Sequence, residues 1–372
     1  MKRIGIVTFH NAYNYGAFLQ CFALQEVVKK INSRVEIVNY IDEKIRDSYR
    51  LFPKKNKSIK SKSKDIMKYI YFGRRTKKRY KEFDKALKKY INLSNITYYS
   101  NQDIQSIGNN YDILITGSDQ VWNRNITGEL SNVYTLNFHN PKLKKISYAA
   151  SIGDCSLVEK YSKEYKDKIS IIDYISVREF DAQKMLKKLL KNDDIQVVLD
   201  PTLLLESKKW DNYLDNYVGE KYILAYVVSP DEEYMKIVNY LAKKTGLKII
   251  YFDTINHGYE KSVECESAYE KGPFDFVKLI KNAEYVVATS FHATAFSIIY
   301  HKKFFIIPHR KTGARVTNLL NMLNIKGRNF QSYDEFKNVD FSFETNWNNV
   351  DKILKKKREE SIDWLYDAIG ED

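Results

Sequence analysis

A chain of 372 residues with 44% hydrophobic and 29% charged residues, only 14 Gly and 6 Pro, has material for two to three folded domains. Disordered, collagen-like and low-complexity classes are excluded. The formal net charge of +14 suggests a nucleic-acid binder until its distribution is read: between Lys54 and Lys89, 16 Lys or Arg stand against Asp65, Glu82 and Asp84, leaving about +1 for all the rest.

In chain order, the N-terminal half predicts a strand over Ile4–Phe9, a loop over His10–Gly16, a helix over Ala17–Ile31 and a strand over Val35–Tyr40. The basic stretch 54–89 follows. Its apolar residues Ile66, Met67, Ile70, Tyr80, Phe83 and Leu87 recur at spacings near three and four, which predicts a pair of amphipathic basic helices. It reads either as a solvated insertion or as a peripheral contact with the inner face of a membrane; no aromatic RNA-binding signature or zinc finger accompanies it, so no nucleic-acid partner is expected. Strands resume at Tyr111–Thr116, Lys145–Ala149 and Tyr174–Val177, and a domain boundary falls near Lys191–Ile195.

The C-terminal half predicts strands over Ile195–Leu199, Tyr222–Val228, Lys248–Phe252, Tyr285–Ala288 and Phe304–Ile307. Helices alternate with them over Asp231–Thr245, Phe274–Lys281, Ala293–Tyr300 and Gly313–Leu323, and a charged helix closes the chain over Trp347–Ile369. Alternating strands and helices give α/β architecture: two doubly wound, Rossmann-like domains, 1–192 with the basic helical insertion 54–89, and 193–346, followed by a C-terminal helix 347–372. A ligand cleft between them is the expectation. The uncharged run Tyr285–Tyr300 is too short and too polar to span a bilayer, the N-terminus reads as a strand and not a signal peptide, and the three cysteines lie too far apart for a disulfide framework or a zinc cluster. A cytoplasmic location without a metal is expected.

No two glycines lie within two positions, so neither a dinucleotide-binding turn nor a Walker loop is present, and D-x-D, H-E-x-x-H and G-x-S-x-G are absent. Chemistry must then be sought at strand ends. After Ala288 come Thr289-Ser290-Phe291-His292 and a helix, whose free N–H groups make an anion site. His292 there has its imidazolium disfavoured by the helix dipole and suits proton transfer; the plainer reading is a first-turn residue bonded to nearby backbone. Strand 112–116 ends in Gly117-Ser118-Asp119-Gln120-Val121-Trp122-Asn123, polar groups beside an indole, which suits a sugar or equally a capped helix start. In the first loop Asn14 offers an amide and Gly16 a close backbone approach. Arginine is scarce, 13 against 48 Lys, so Arg178 and Arg315 near strand ends are candidates for gripping a carboxylate or phosphate. For Arg178 a salt bridge with Glu179 is the competing reading, and Arg310 and Arg328 are expected on the surface.

Taken together, Ile4–Asn11 with Asn14-Tyr15-Gly16-Ala17, then Gly117–Asn123, Ser147-Tyr148-Ala149-Ala150-Ser151, Ser176-Val177-Arg178-Glu179, Leu199-Asp200-Pro201-Thr202 and Ser290-Phe291-His292 resemble, in order, the polysaccharide pyruvyl transferase family. The resemblance implies a GT-B-like pair of Rossmann domains. It further implies transfer of the pyruvyl group of phosphoenolpyruvate, a co-substrate and not a cofactor, to two hydroxyls of a sugar in a surface polysaccharide or its lipid-linked precursor. By resemblance His292 is the general acid or base and Arg178 binds the donor. Other branches of the family carry an arginine where this chain has Ser290, and Arg315 is the candidate replacement. Asn14, Gly16, Ser118 and Trp122 fall to the acceptor side, with Asp119 also a candidate base. A GT-B glycosyltransferase using a nucleotide sugar, and a non-catalytic membrane- or nucleic-acid-binding module, remain as alternatives.

Overall fold

The computed structural model describes residues 2–51, 59–100, 104–217, 219–227, 232–253, 258–308, 313–341 and 344–370, with backbone alone over 59–71. Arg310, the start of the basic stretch at 54–58, and the outer ends of the strand expected to reach Val228 and of the helix expected from Asp231 lie outside these residues. The chain divides into two compact units: Met1–Tyr49 with Leu87–Leu205 and Ile353–Asp372, and Arg50–Ala86 with Glu206–Lys352.

In the first unit seven strands form one parallel sheet: β1 (Ile4–Val7), β2 (Val35–Ile41), β3 (Leu93–Tyr99), β4 (Ile113–Thr116), β5 (Lys144–Ala150), β6 (Tyr174–Val177) and β7 (Gln196–Val197). Their order is β3-β2-β1-β4-β5-β6-β7. Central strands are apolar on both faces because helices cover both, as the fully buried Ile-Gly-Ile-Val of β1 illustrates. The chain runs outward through β2 and β3, then returns to β4 beside β1, so the switch point lies between β1 and β4, where Ile4 pairs with Ile113 and Val7 with Thr116. Open parallel sheets bind ligands at the carboxyl ends of the strands flanking such a point. The core beneath includes Val7, Trp122, Tyr134, Tyr165 and Leu186, each large apolar side chain contributing about 1.5–3 kcal/mol.

The second unit repeats the plan with five parallel strands, β8 (Tyr222–Tyr226), β9 (Lys248–Tyr251), β10 (Cys265–Ser267), β11 (Tyr285–Ala288) and β12 (Lys303–Ile306), in the order β10-β9-β8-β11-β12. Here the switch point lies between β8 and β11, and Ile223, Val238, Val287, Phe305 and Phe336 build the core. Both sheets therefore carry the Rossmann order, and the α/β, doubly wound reading of the chain holds.

Four features differ from the sequence expectation. The strand expected to open the second domain completes the first sheet, because β7 pairs with β6 through Ser176–Gln196 and Val177–Val197; the first unit accordingly runs to Leu205 and not to 192. Two edge strands, β3 and β10, were not expected. The basic stretch forms one helix, Ile59–Tyr90, in place of two, since neither Pro nor a helix-stopping pair interrupts it and Gly73 alone is tolerated; its portion up to Ala86 belongs to the second unit. Finally, the C-terminal helix is shared: from Ile353 it belongs to the first unit, where Ser361 Oγ accepts from Leu199 N at 3.0 Å and Arg358 Nε donates to Leu203 O at 2.9 Å.

Candidate functional site

The carboxyl ends of β1, β4, β5, β6 and β7 converge on a buried polar hub in the first unit. Gly117, at φ 123°, begins the turn after β4, and a Cβ there would collide with the Tyr148 carbonyl oxygen; glycine is required. Ser118 is fully buried, its N–H donating to Gln20 Oε1 (3.1 Å) and its hydroxyl to Ala149 O and to Asp200 Oδ2 (both 3.1 Å). Asp200 also accepts from Arg178 Nη1 at 2.7 Å, while its other oxygen takes Thr202 N (3.0 Å) and Thr202 Oγ1 (2.6 Å), capping the short Pro201–Leu204 helix. Arg178 lies 3.5 Å from Glu179 Oε1, which accepts the Ser151 hydroxyl at 2.5 Å. Burial alone would lower the Arg178 pKa, but Asp200, Glu179 and Asp119 together hold it above its usual value.

These contacts revise several expectations. Ser118 spends its hydroxyl inside the hub and presents none of it to a sugar. Trp122 is completely enclosed, with Nε1 donating to Tyr134 O at 3.0 Å, so its ring offers no stacking face. Gly16 sits buried in the first turn of the Tyr15–Ile31 helix and not in a loop, because Asn14 Oδ1 accepts from Ala17 N at 3.1 Å and starts the helix two residues early. The Arg178 side chain is 2% exposed and engaged by two carboxylates, the arrangement that competed with donor binding. Asn14 remains exposed. Asp119, at φ 70° and 9% exposed, accepts from Gln120 N through Oδ1 (2.8 Å) and from Ser151 N through its carbonyl (2.9 Å).

In the second unit, β11 delivers Thr289, whose N–H donates to Tyr226 O at 3.1 Å across the switch point, and then Ser290. Ser290 is the N-cap of the Phe291–Ile299 helix, Oγ accepting from Ala293 N at 3.4 Å and its carbonyl taking Thr294 Oγ1 at 3.0 Å. The helix begins at Phe291, two residues before the expected Ala293, so His292 is itself in the first turn. The imidazole is 7% exposed and meets Phe291 edge to face at 5.3 Å. Arg315, half-buried, occupies the first turn of the Ala314–Met322 helix, which packs against the Phe291–Ile299 helix. Ser290, His292 and Arg315 thus belong to two touching helices; first-turn amides can receive an anion and an imidazole can move a proton. Arg328, expected on the surface, is 3% exposed, with Nε and Nη2 donating to Thr345 Oγ1 at 3.2 and 3.0 Å, and burial lowers its pKa.

Sequence reasoning passed over Asp200, Glu179 and Ser151 as working groups. The signal for Asp200 was Asp-Pro-Thr, a side-chain acceptor before a Pro at the first helical position. Nothing in the local string around Ser151 marks its partner Glu179, 28 residues away. Among the described residues no His, Cys, Asp and Glu cluster could hold a metal, and no helix is long and apolar enough to cross a membrane.

Among solved structures, the chain is similar to the UDP-GlcNAc 2-epimerase of Methanocaldococcus jannaschii (13% identity, 95% of this chain and 98% of that one, TM-score 0.49). It is similar also to the UDP-GlcNAc 2-epimerase of Neisseria meningitidis (11%, 97% and 100%, 0.47) and to the ADP-heptose LPS heptosyltransferase II of E. coli (8%, 96% and 99%, 0.38). No curated protein matches it. The model of one family, described as polysaccharide pyruvyl transferase, matches residues 14–311, a span that takes in the hub from Ser118 to Asp200 together with Ser290 and His292. The chain belongs to the polysaccharide pyruvyl transferase family.

Proposed function

We propose that this chain transfers the pyruvyl group of phosphoenolpyruvate to two hydroxyls of one sugar in a surface polysaccharide or its lipid-linked precursor, forming a cyclic ketal and releasing phosphate. The observation that carries the reading is the Ser290-capped helix start at the β8/β11 switch point with His292 in its first turn, within a chain of this family. The donor carries a phosphate and a carboxylate. First-turn amides suit the phosphate, and Arg315 on the adjoining helix suits the carboxylate.

In the proposed reaction His292 delivers a proton to the methylene carbon of the donor, leaving a cationic centre at C2 that the first sugar hydroxyl attacks. The C2–O bond to phosphate breaks with its electron pair, and a second hydroxyl closes the ring. Of the two hydroxyl protons released, one stays with the departing phosphate and the other restores His292. Asp119 and Asn14 are assigned to the acceptor by resemblance to the family. Arg178 is reassigned from donor contact to holding the hub together, since two carboxylates already occupy it.

Replacing the imidazole is the test. His292→Ala and the bulkier His292→Gln are expected to reduce phosphoenolpyruvate-dependent phosphate release by ~10²-fold or more while the circular dichroism spectrum stays unchanged. Turnover at the unmodified rate in both variants contradicts the assignment.

A further inference from the structure

Between Phe72 and Tyr90 on the long basic helix, every exposed residue is Lys or Arg: Arg74, Lys77, Lys78, Lys81, Lys85 and the pair Lys88–Lys89. At 100° per residue these positions fall within an arc of about 120° and run roughly 22 Å along the axis. The opposite side is anchored. Phe83, Ala86 and Gly73 are buried there. Arg75 Nε donates to Glu270 Oε1 at 3.1 Å and Nη2 to Ser267 Oγ at 2.6 Å; Thr76 Oγ1 lies 3.3 Å from Tyr269 Oη, and the Arg79 guanidinium stacks over the Tyr269 ring at 5.0 Å. These contacts pin the helix beside β10, so the stripe is held outward on a rigid element.

An ordinary solvated helix face alternates charge signs and gains from oppositely charged pairs one turn apart. This one instead places like charges at that spacing, Arg74 with Lys78, Lys77 with Lys81, Lys81 with Lys85 and Lys85 with Lys89, each of which costs helix stability. Its acids, Glu82 and Asp84, fall at the flanks of the arc; Glu82 reaches Lys85 at 2.7 Å and Glu270 reaches Lys78 at 2.7 Å from the edge of the stripe. A self-repelling row of cations is the pattern that an extended negative surface would relieve.

We propose that this stripe docks the protein on an anionic lipid bilayer by electrostatics alone, lying along the headgroups without inserting. Between Phe72 and Ala86 the side turned away from the stripe, with Phe83 and Ala86, is already buried in the second unit, so the insertion available to an in-plane amphipathic helix is closed to this segment. Binding then depends on the charge of the leaflet and falls with salt as the screening length shrinks from about 8 Å at 0.15 M to about 3 Å at 1 M. Vesicle binding is read without any substrate and is independent of the reaction proposed above.

The test is sedimentation of the full chain with phosphatidylcholine vesicles, with and without phosphatidylglycerol. The expected result is retention only by the anionic vesicles and release at 1 M salt. A quadruple variant, Arg74→Gln, Lys77→Gln, Lys81→Gln and Lys88→Gln, should partition at least ~30-fold more weakly, while exchange of the three lysines for arginine preserves binding and reports that the helix still folds. Equal retention by neutral vesicles, undiminished binding of the quadruple variant, or tighter binding to duplex DNA or RNA than to vesicles at the same salt overturns the proposal.

Discussion

Asp200 ties three segments of the first unit together. One of its oxygens joins Ser118 after β4 to Arg178 after β6, and the other starts a helix. The pair is 2% and 0% exposed on its side chains, so removing one partner leaves a buried charge uncompensated. Asp200→Ala is therefore expected to lower unfolding stability by about 3–5 kcal/mol, measured by urea denaturation; a change within 0.5 kcal/mol, the ordinary scatter of about that size for surface substitutions, contradicts the hub. The identities at this scale were legible, since Ser118, Asp119 and Arg178 all fall at the end of the same sheet. Their roles were not. Whether an indole or hydroxyl faces a ligand or the core depends on where neighbouring strands place their carbonyls, and Trp122 and Ser118 each find one in a segment remote in sequence, or on another strand.

At the scale of elements, the helix after β11 rests on a single cap. Ser290→Ala removes the acceptor for Ala293 N and is expected to cost about 1 kcal/mol in thermal unfolding, whereas Ser290→Gly should cost only a few tenths. Equal losses in both variants would show that the hydroxyl serves something other than the helix end. The same cap explains why the helix starts earlier than apolar periodicity suggested: periodicity locates the buried face, and a Ser or Asn acceptor sets the boundary, here as at Asn14. Strands with strong apolar patterns inside a sheet, such as the four-residue Tyr174–Val177 and Tyr285–Ala288, match their predicted limits. The two missed strands lie at sheet edges, where only one neighbour constrains the sequence. β3 alternates imperfectly around Ser94 and Asn95, and β10 has three residues, of which Glu266 faces solvent; neither carries enough apolar signal to be separated from loop.

For the molecule as a whole, the repeated Rossmann order was readable because each parallel crossover leaves an alternating strand and helix pattern in the chain. Which strand completes which sheet was not, since β7 is only two residues long and its allegiance is set by pairing with β6. The charge distribution was readable too, and over 72–90 the structure gathers its exposed part onto one helix face. Function turns on the identity of the donor. The most direct measurement is to incubate the chain with phosphoenolpyruvate and glycan acceptors and to follow phosphate and acceptor mass together. One phosphate released for each acceptor that gains a pyruvyl ketal, with no turnover of nucleotide sugars, is the expected outcome; release of nucleotide from a sugar donor, with phosphoenolpyruvate left intact, contradicts it.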